Sequence, residues 1–208
     1  MSETNAKKKL LLHSCCGPCS TAVLERLLPD YEITLFYYNP NITDPAEYEH
    51  RLSEQERFLA EWAGKDGRAD VKLQPGDYDP QVYYNFVEGL EQEPEGGARC
   101  AKCFMLRLRE TAEKAAKEGY DCFDSTLTVS PYKNYKTISP IGLELAEEYG
   151  VEYLDGNYKK KDGYLRSIAL AKEYGLYRQH YCGCEFSKWD GCEDAGKSDK
   201  SDKKETAE

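Results

Sequence analysis

The sequence predicts an α/β fold, a Rossmann-like parallel sheet with helices on both faces and a metal site at the carboxyl ends of the strands. Three observations lead there. Short apolar runs alternate along the chain with longer stretches whose apolar residues recur at helical spacing. Gly and Pro punctuate the junctions between them. The first cysteine motif follows directly on the first expected strand, and open α/β sheets form their sites at carboxyl strand ends.

Each element has a local reason. Lys9 to His13 reads as a short buried strand. Ser20 is expected to cap a helix carrying Val23, Leu24, Leu27 and Leu28. Ile33 to Tyr38 is a second strand, stopped by Asn39-Pro40-Asn41. Pro45 is suited to the first helical position, and that helix runs through Tyr48, Leu52 and Phe58 to about Ala63. Val71 to Leu73 is a third strand and Pro80 to Leu90 a further helix, followed by a loop at Pro94–Gly97. Cys100 to Gly119 carries Met105, Leu108, Ala112, Ala115 and Ala116 on one side, with Gly119 as the stop. Cys122 to Leu127 is a strand. Ile138, Ile141, Leu145 and Tyr149 line a helix ended by Gly150. Val151 to Leu154 is strand-like. Tyr164, Ile168 and Ala171 lie on a last helix, which Gly175 ends.

The 208 residues suffice for one domain with a substantial core. The expected organisation is an N-terminal arm over residues 1–8, a single α/β catalytic domain over residues 9–192, and a disordered charged tail over residues 193–208. No stretch approaches the roughly 20 apolar residues of a membrane span. Lys7-Lys8-Lys9 followed by Leu10-Leu11-Leu12 imitates a signal peptide, but the apolar run stops at His13, so a cytoplasmic location is expected. The formal net charge of −10 argues against general nucleic-acid binding while leaving room for one local basic face.

Nine cysteines in such a chain point to metal ligands or catalytic thiols rather than disulfides. Seven fall in three motifs: Cys15-Cys16-Gly17-Pro18-Cys19, Cys100-Ala101-Lys102-Cys103 and Cys182-Gly183-Cys184. A Cys-x-x-Cys brings two thiols within reach of one metal or cluster. Gly and Pro between ligands let the backbone turn tightly around an inorganic core. Cys100 and Cys103 open a helix, where the dipole favours thiolate. Thiolates suit zinc and iron–sulfur clusters, and seven exceed the four that one zinc or one cubane cluster requires. Cys122 reads as a core residue and Cys192 as incidental.

Five segments, in order over residues 9–187, resemble the cobalamin-independent epoxyqueuosine reductases of the QueH family. They are Leu11-Leu12-His13-Ser14-Cys15-Cys16-Gly17-Pro18-Cys19, Tyr38-Asn39-Pro40-Asn41-Ile42, Arg99-Cys100-Ala101-Lys102-Cys103, Ser130-Pro131-Tyr132-Lys133 and Tyr177-Arg178-Gln179-His180-Tyr181-Cys182-Gly183-Cys184. The resemblance implies an oxidoreductase for the last step of queuosine biosynthesis, reducing epoxyqueuosine in the tRNA anticodon loop to queuosine. It implies a [4Fe-4S] cluster with an adjacent mononuclear iron, tRNA as partner and an external electron donor. Some members carry Asp where this chain has Cys19, and that Asp is assigned to the extra iron; Cys19 is expected to replace it as a thiolate. The working division sets Cys16, Cys100, Cys103 and Cys182 on the cluster and Cys15, Cys19 and Cys184 on the iron.

Two rival readings stand beside this one. A PP-loop-like tRNA-thiolating ATPase also combines such a sheet with an iron–sulfur cluster, but the glycines of its phosphate loop are mostly missing from Ser14–Cys19. A non-enzymatic zinc-binding module would leave thiols surplus. His13 reads as a core histidine supporting the site, His50 as exposed, and His180 as either proton donor or loop surface. Tyr132, Lys133 and the Tyr158-Lys159-Lys160-Lys161 run interleave rings with cations, a pattern suited to stacked bases and phosphate or to plain solvated surface. With the family motif, Lys133 is expected to hold phosphate. Asn39 and Asn41 are candidates for substrate contact or loop capping, and Arg178 for phosphate or cluster charge.

Overall fold

The structure, a computed structural model, describes residues 6–65 and 71–188. The elements run β1 (Lys8–His13), α1 (Gly17–Leu27), β2 (Tyr31–Tyr37), α2 (Pro45–Ala63), β3 (Lys72–Pro75), α3 (Pro80–Val87), α4 (Ala98–Glu118), β4 (Cys122–Ser125), α5 (Tyr135–Tyr149), β5 (Glu152–Tyr153) and α6 (Gly163–Glu173). One-turn 3-10 helices follow β4 (Thr126–Val129) and the last cysteine motif (Glu185–Ser187). The expected charged tail, with Cys192, and residues 1–5 of the expected arm lie outside the described residues.

The five strands are all parallel, in the order β3-β2-β1-β4-β5. The central strands alternate between two cores, as the period of two in a strand requires. Leu10, Leu12, Ile33, Leu35 and Cys122 pack with residues of α1, α2 and α6. Leu11, Phe36 and Phe123 pack with residues of α3, α4 and α5 on the other face. Helices therefore cover both faces, as expected. The chain leaves β1 toward β2 on one side, while β4 lies on the other. The loop after β1 thus sits at the point where strand order reverses, a crevice built by topology.

Three boundaries differ from expectation for local reasons. Cys16, not Ser20, is the N-cap of α1; Ser20 lies inside the helix, where its hydroxyl donates back to the Cys16 carbonyl at 3.1 Å. Pro18 at the helix start is what allows the earlier beginning. β4 stops at Ser125 instead of running to Leu127, because the Ser125 hydroxyl accepts from the Leu127 amide and starts a 3-10 turn. α3 ends at Val87, since Glu88 is extended (ψ 132°). The stops at Gly119 and Gly150 are as expected, both left-handed.

Candidate metal centre

All three cysteine motifs line one cavity of about 1380 Å³ at the carboxyl end of the sheet. Cys15 follows β1, and Cys16 and Cys19 flank the first turn of α1. Their three sulfurs lie within 4.8 Å of one another, with Cys15 and Cys16 3.8 Å apart. α4 begins at Ala98, so Cys100 falls in its first turn and Cys103 a turn further on, both buried. The Gly96 amide donates to the Cys100 sulfur at 3.2 Å. The third motif is held from two sides. Arg51 of α2 donates to the carbonyls of Tyr181 and Cys182, both at 3.2 Å, and the Thr43 amide donates to the Gly183 carbonyl at 3.1 Å. Gly183 has φ +104°, and a Cβ there would stand 2.7 Å from Ile42, so glycine alone fits between the two thiols.

The thiols fall into neighbourhoods by position in the fold. Cys16 joins Cys15 and Cys19 because all three sit on the β1–α1 turn. Cys184 instead neighbours Cys182 and stands 2.9 Å from the Tyr83 hydroxyl of α3. Within each neighbourhood one sulfur is favoured as the anion. Hydrogen bonds from Cys16 and Cys19 hold Cys15 well below the usual thiol range, against burial, while Cys16 is pushed up to about 12 by its bond to Cys15. Cys182 is held low by its bond to Cys184 and then by the Lys133 ammonium, again against burial, and Cys184 moves up in response. Burial pushes Cys103 up, with the Arg107 guanidinium opposing it.

The remaining candidates separate clearly. Lys133 lies in the turn before α5, pinned by the Asn134 side chain, which accepts from the Lys136 amide at 3.0 Å. Its side chain is only 12 % exposed, lines the thiol cavity and stands 3.4 Å from Glu95. Burial opposes its charge, but Cys182, Glu95 and Cys103 together outweigh that and raise its pKa overall. Lys133, the residue expected to hold phosphate, is thus mostly buried at the cavity wall. Tyr132 beside it is 75 % exposed at the cavity wall, and Arg178 and His180 are exposed there too. Asn39 is buried outside the cavity lining and donates to the Ser14 carbonyl at 2.9 Å, the loop-capping alternative. Asn41 borders the cavity and donates to the Cys182 carbonyl at 3.4 Å, with its Oδ1 buried and unpartnered. Tyr158 is likewise a core residue; its hydroxyl donates to Asp124 at 2.5 Å, and Lys159 donates to the Lys133 carbonyl.

His13 is fully buried, with Nδ1 2.9 Å from the Ser125 hydroxyl and Nε2 3.0 Å from the Tyr38 carbonyl. Both nitrogens are engaged, and burial, then Arg107, lowers its pKa to about 4. It supports the β1 loop as a neutral ring and has no lone pair left for a metal. Cys122 is buried on the sheet face that packs against α1 and α6. Cys122→Ala is expected to leave iron content unchanged and to lower stability by roughly 1 kcal/mol, read by metal analysis and denaturant titration.

Sequence reasoning missed Arg51, Tyr83 and Arg107. Each sits on a helix distant in sequence from at least one of the motifs it meets, so only a helical-face reading from the cysteines outward, Cys103 to Arg107, offered any signal.

The donor set fits an iron–sulfur centre: thiols from three motifs around one cavity, with buried cations to balance their charge. Residues 10–190 match the family model described as epoxyqueuosine reductase QueH. The epoxyqueuosine reductase QueH of Streptococcus pyogenes serotype M1 is 43% identical over 183 residues, covering 88% of this chain and 71% of that protein. That of Thermotoga maritima is 34% identical over 181 residues, covering 86% and 89%. Among solved structures, the U34-tRNA thiolase NcsA from Methanococcus maripaludis, with its [4Fe-4S] cluster, superposes with a TM-score of 0.51 at 15% identity. The match covers 89% of this chain and 63% of that one, a likeness of fold.

Proposed function

The chain belongs to the epoxyqueuosine reductase QueH family of oxidoreductases, and on that premise we propose that it deoxygenates epoxyqueuosine in the tRNA anticodon loop to queuosine. The observation that carries this reading is the gathering of Cys15, Cys19, Cys100, Cys103, Cys182 and Cys184 around one cavity wide enough for an extruded nucleoside, with Cys16 within reach of Cys15.

Opening the epoxide to an alkene breaks two C–O bonds, consumes two electrons and two protons, and releases the oxygen as water. The thiols would hold a [4Fe-4S] cluster and an adjacent iron, which when bound supply single electrons and a Lewis acid. Electrons come from an external donor. The chain's own residues bind and orient. Tyr132 offers an exposed ring on which an anticodon-loop base stacks, and Arg178 pairs with phosphate at the rim. Lys133 presents a charged Nζ to the cavity, favouring the negative charge that gathers on the departing oxygen. Asn41 and Arg51 hold the Cys182 carbonyl and so fix the third motif against the first two.

The deciding experiment supplies iron-loaded protein, a low-potential reductant and tRNA carrying epoxyqueuosine, without oxygen, cobalamin or ATP. Mass spectrometry of the nucleosides is expected to show queuosine. Unchanged epoxide with iron-loaded protein overturns the proposal. Product or thiolated nucleoside appearing only with ATP favours the thiolating ATPase, whose fold this chain shares.

A further inference from the structure

Arg107 is only 3% exposed and lines the thiol cavity. It lies four residues after Cys103 and seven after Cys100, on the same face of α4. Its Nε donates to the Cys103 carbonyl at 3.2 Å. The two other buried arginines at this cavity spend their terminal nitrogens on the protein. Arg51 pairs with Glu47 at 2.6 Å. Arg99 gives its terminal nitrogens to the carbonyls of Leu90, Glu91, Glu93 and Phe186. Arg107 has no carboxylate within ion-pair distance among the described residues.

A buried charge held only by one carbonyl and by the Phe104 ring, whose centroid lies 5.8 Å from the guanidinium carbon, is unfavourable, and arginine does not escape by deprotonating. The anions that offset it must therefore come from the cavity. Burial works against the guanidinium, and what favours it is Cys103, Cys15, Cys182 and Cys100, sulfurs from all three motifs. We propose that Arg107 is the built-in counter-charge of the thiolate metal centre, a positioning residue that favours the reduced, more negative state of the bound cluster and so sets its reduction potential. This rests on the metal-centre reading above. The physical basis is general: charge and hydrogen bonding around a cluster tune its potential, and a fixed cation in a low-dielectric site stabilises each added electron. Without metal, the Cys15 and Cys182 thiolates offset part of this charge.

The test compares wild type, Arg107→Met and Arg107→Lys as iron-loaded and as metal-free protein. Potentials are read by redox titration followed by electron paramagnetic resonance, iron by chemical analysis, and metal-free stability by thermal melting. In Arg107→Met the ratio of reduced to oxidised cluster at a fixed potential is expected to fall by about tenfold, equivalent to about 59 mV for one electron. Arg107→Lys keeps the charge but not the Nε bond to the Cys103 carbonyl, and is expected to stay near wild type. Metal-free Arg107→Met is expected to melt no lower than metal-free wild type, since the contacts it loses are offset by relief of the guanidinium's burial cost. An iron-loaded Arg107→Met with the wild-type potential overturns the inference. If that variant takes up no iron, melting decides: a lower melting point without metal, shared by Arg107→Lys, makes the bond to the Cys103 carbonyl its role and overturns it, and an unchanged or higher one supports it. A wild-type protein that takes up no iron overturns the metal reading itself, a result distinct from wild type and Arg107→Met loading equally with the same potential.

Discussion

Replacing Cys103 with alanine is expected to remove most of the iron and to lower epoxide reduction by on the order of 100-fold or more, since loss of an outer contact to a metal ligand alone costs roughly 10–100-fold. Cys103 is buried one turn inside α4, with its backbone carbonyl tied to Arg107 and its sulfur in the cavity shared with Cys100 and Cys182. Among the described residues, the one cysteine outside the three motifs, Cys122, is buried in the core against the opposite sheet face and cannot replace it. The alanine variant is expected to fold, because the lost atom faces a cavity rather than filling a packed core. Iron analysis, the absorption near ~400 nm typical of iron–sulfur proteins and nucleoside mass spectrometry check the result. Full iron in Cys103→Ala would show that the centre is assembled elsewhere.

Arg51→Leu is expected to have the second largest effect, on stability and on the third motif together. The guanidinium is 2% exposed, pairs with Glu47, and donates to the Tyr181 and Cys182 carbonyls. Its removal takes a partner from a part-buried carboxylate and from the Tyr181 carbonyl, and leaves the Cys182 carbonyl only Asn41 at 3.4 Å. Breaking a buried pair from one side costs about 3–5 kcal/mol, and the Tyr177 hydroxyl that also reaches Glu47 offsets part of this. We expect a loss of about 3 kcal/mol in denaturant titration of the metal-free protein. Segment 181–184 should also lose its order relative to α2, seen as faster amide exchange there and weaker iron retention. A variant as stable as wild type would mean that the pair is matched by water.

The sequence by itself determined the fold class and singled out the three cysteine motifs that line one cavity. Leu10 to Leu12 and Ile33 to Leu35 read as strands because strand propensity and burial are local, and Pro45, Gly119 and Gly150 set their helix ends because φ restrictions are properties of single residues. The seven clustered cysteines were legible because ligand spacing is written along the chain. How those thiols are shared was not legible. Cys16 stays with Cys15 and Cys19 on the β1–α1 turn, but Cys184 falls beside Tyr83 of α3, about a hundred residues earlier, a meeting that no local pattern carries. The same holds for the charges. Lys133 looked like an exposed phosphate ligand from its neighbours in sequence, yet the cap at Asn134 and the Lys159 bond to its carbonyl turn it inward. Asn39 and Tyr158 looked like contacts and became internal struts, because burial depends on what the rest of the chain packs against them. Arg107 had no motif at all; only the tertiary structure brings four sulfurs to a buried cation, since electrostatic pairing is decided by distance in space and not along the chain.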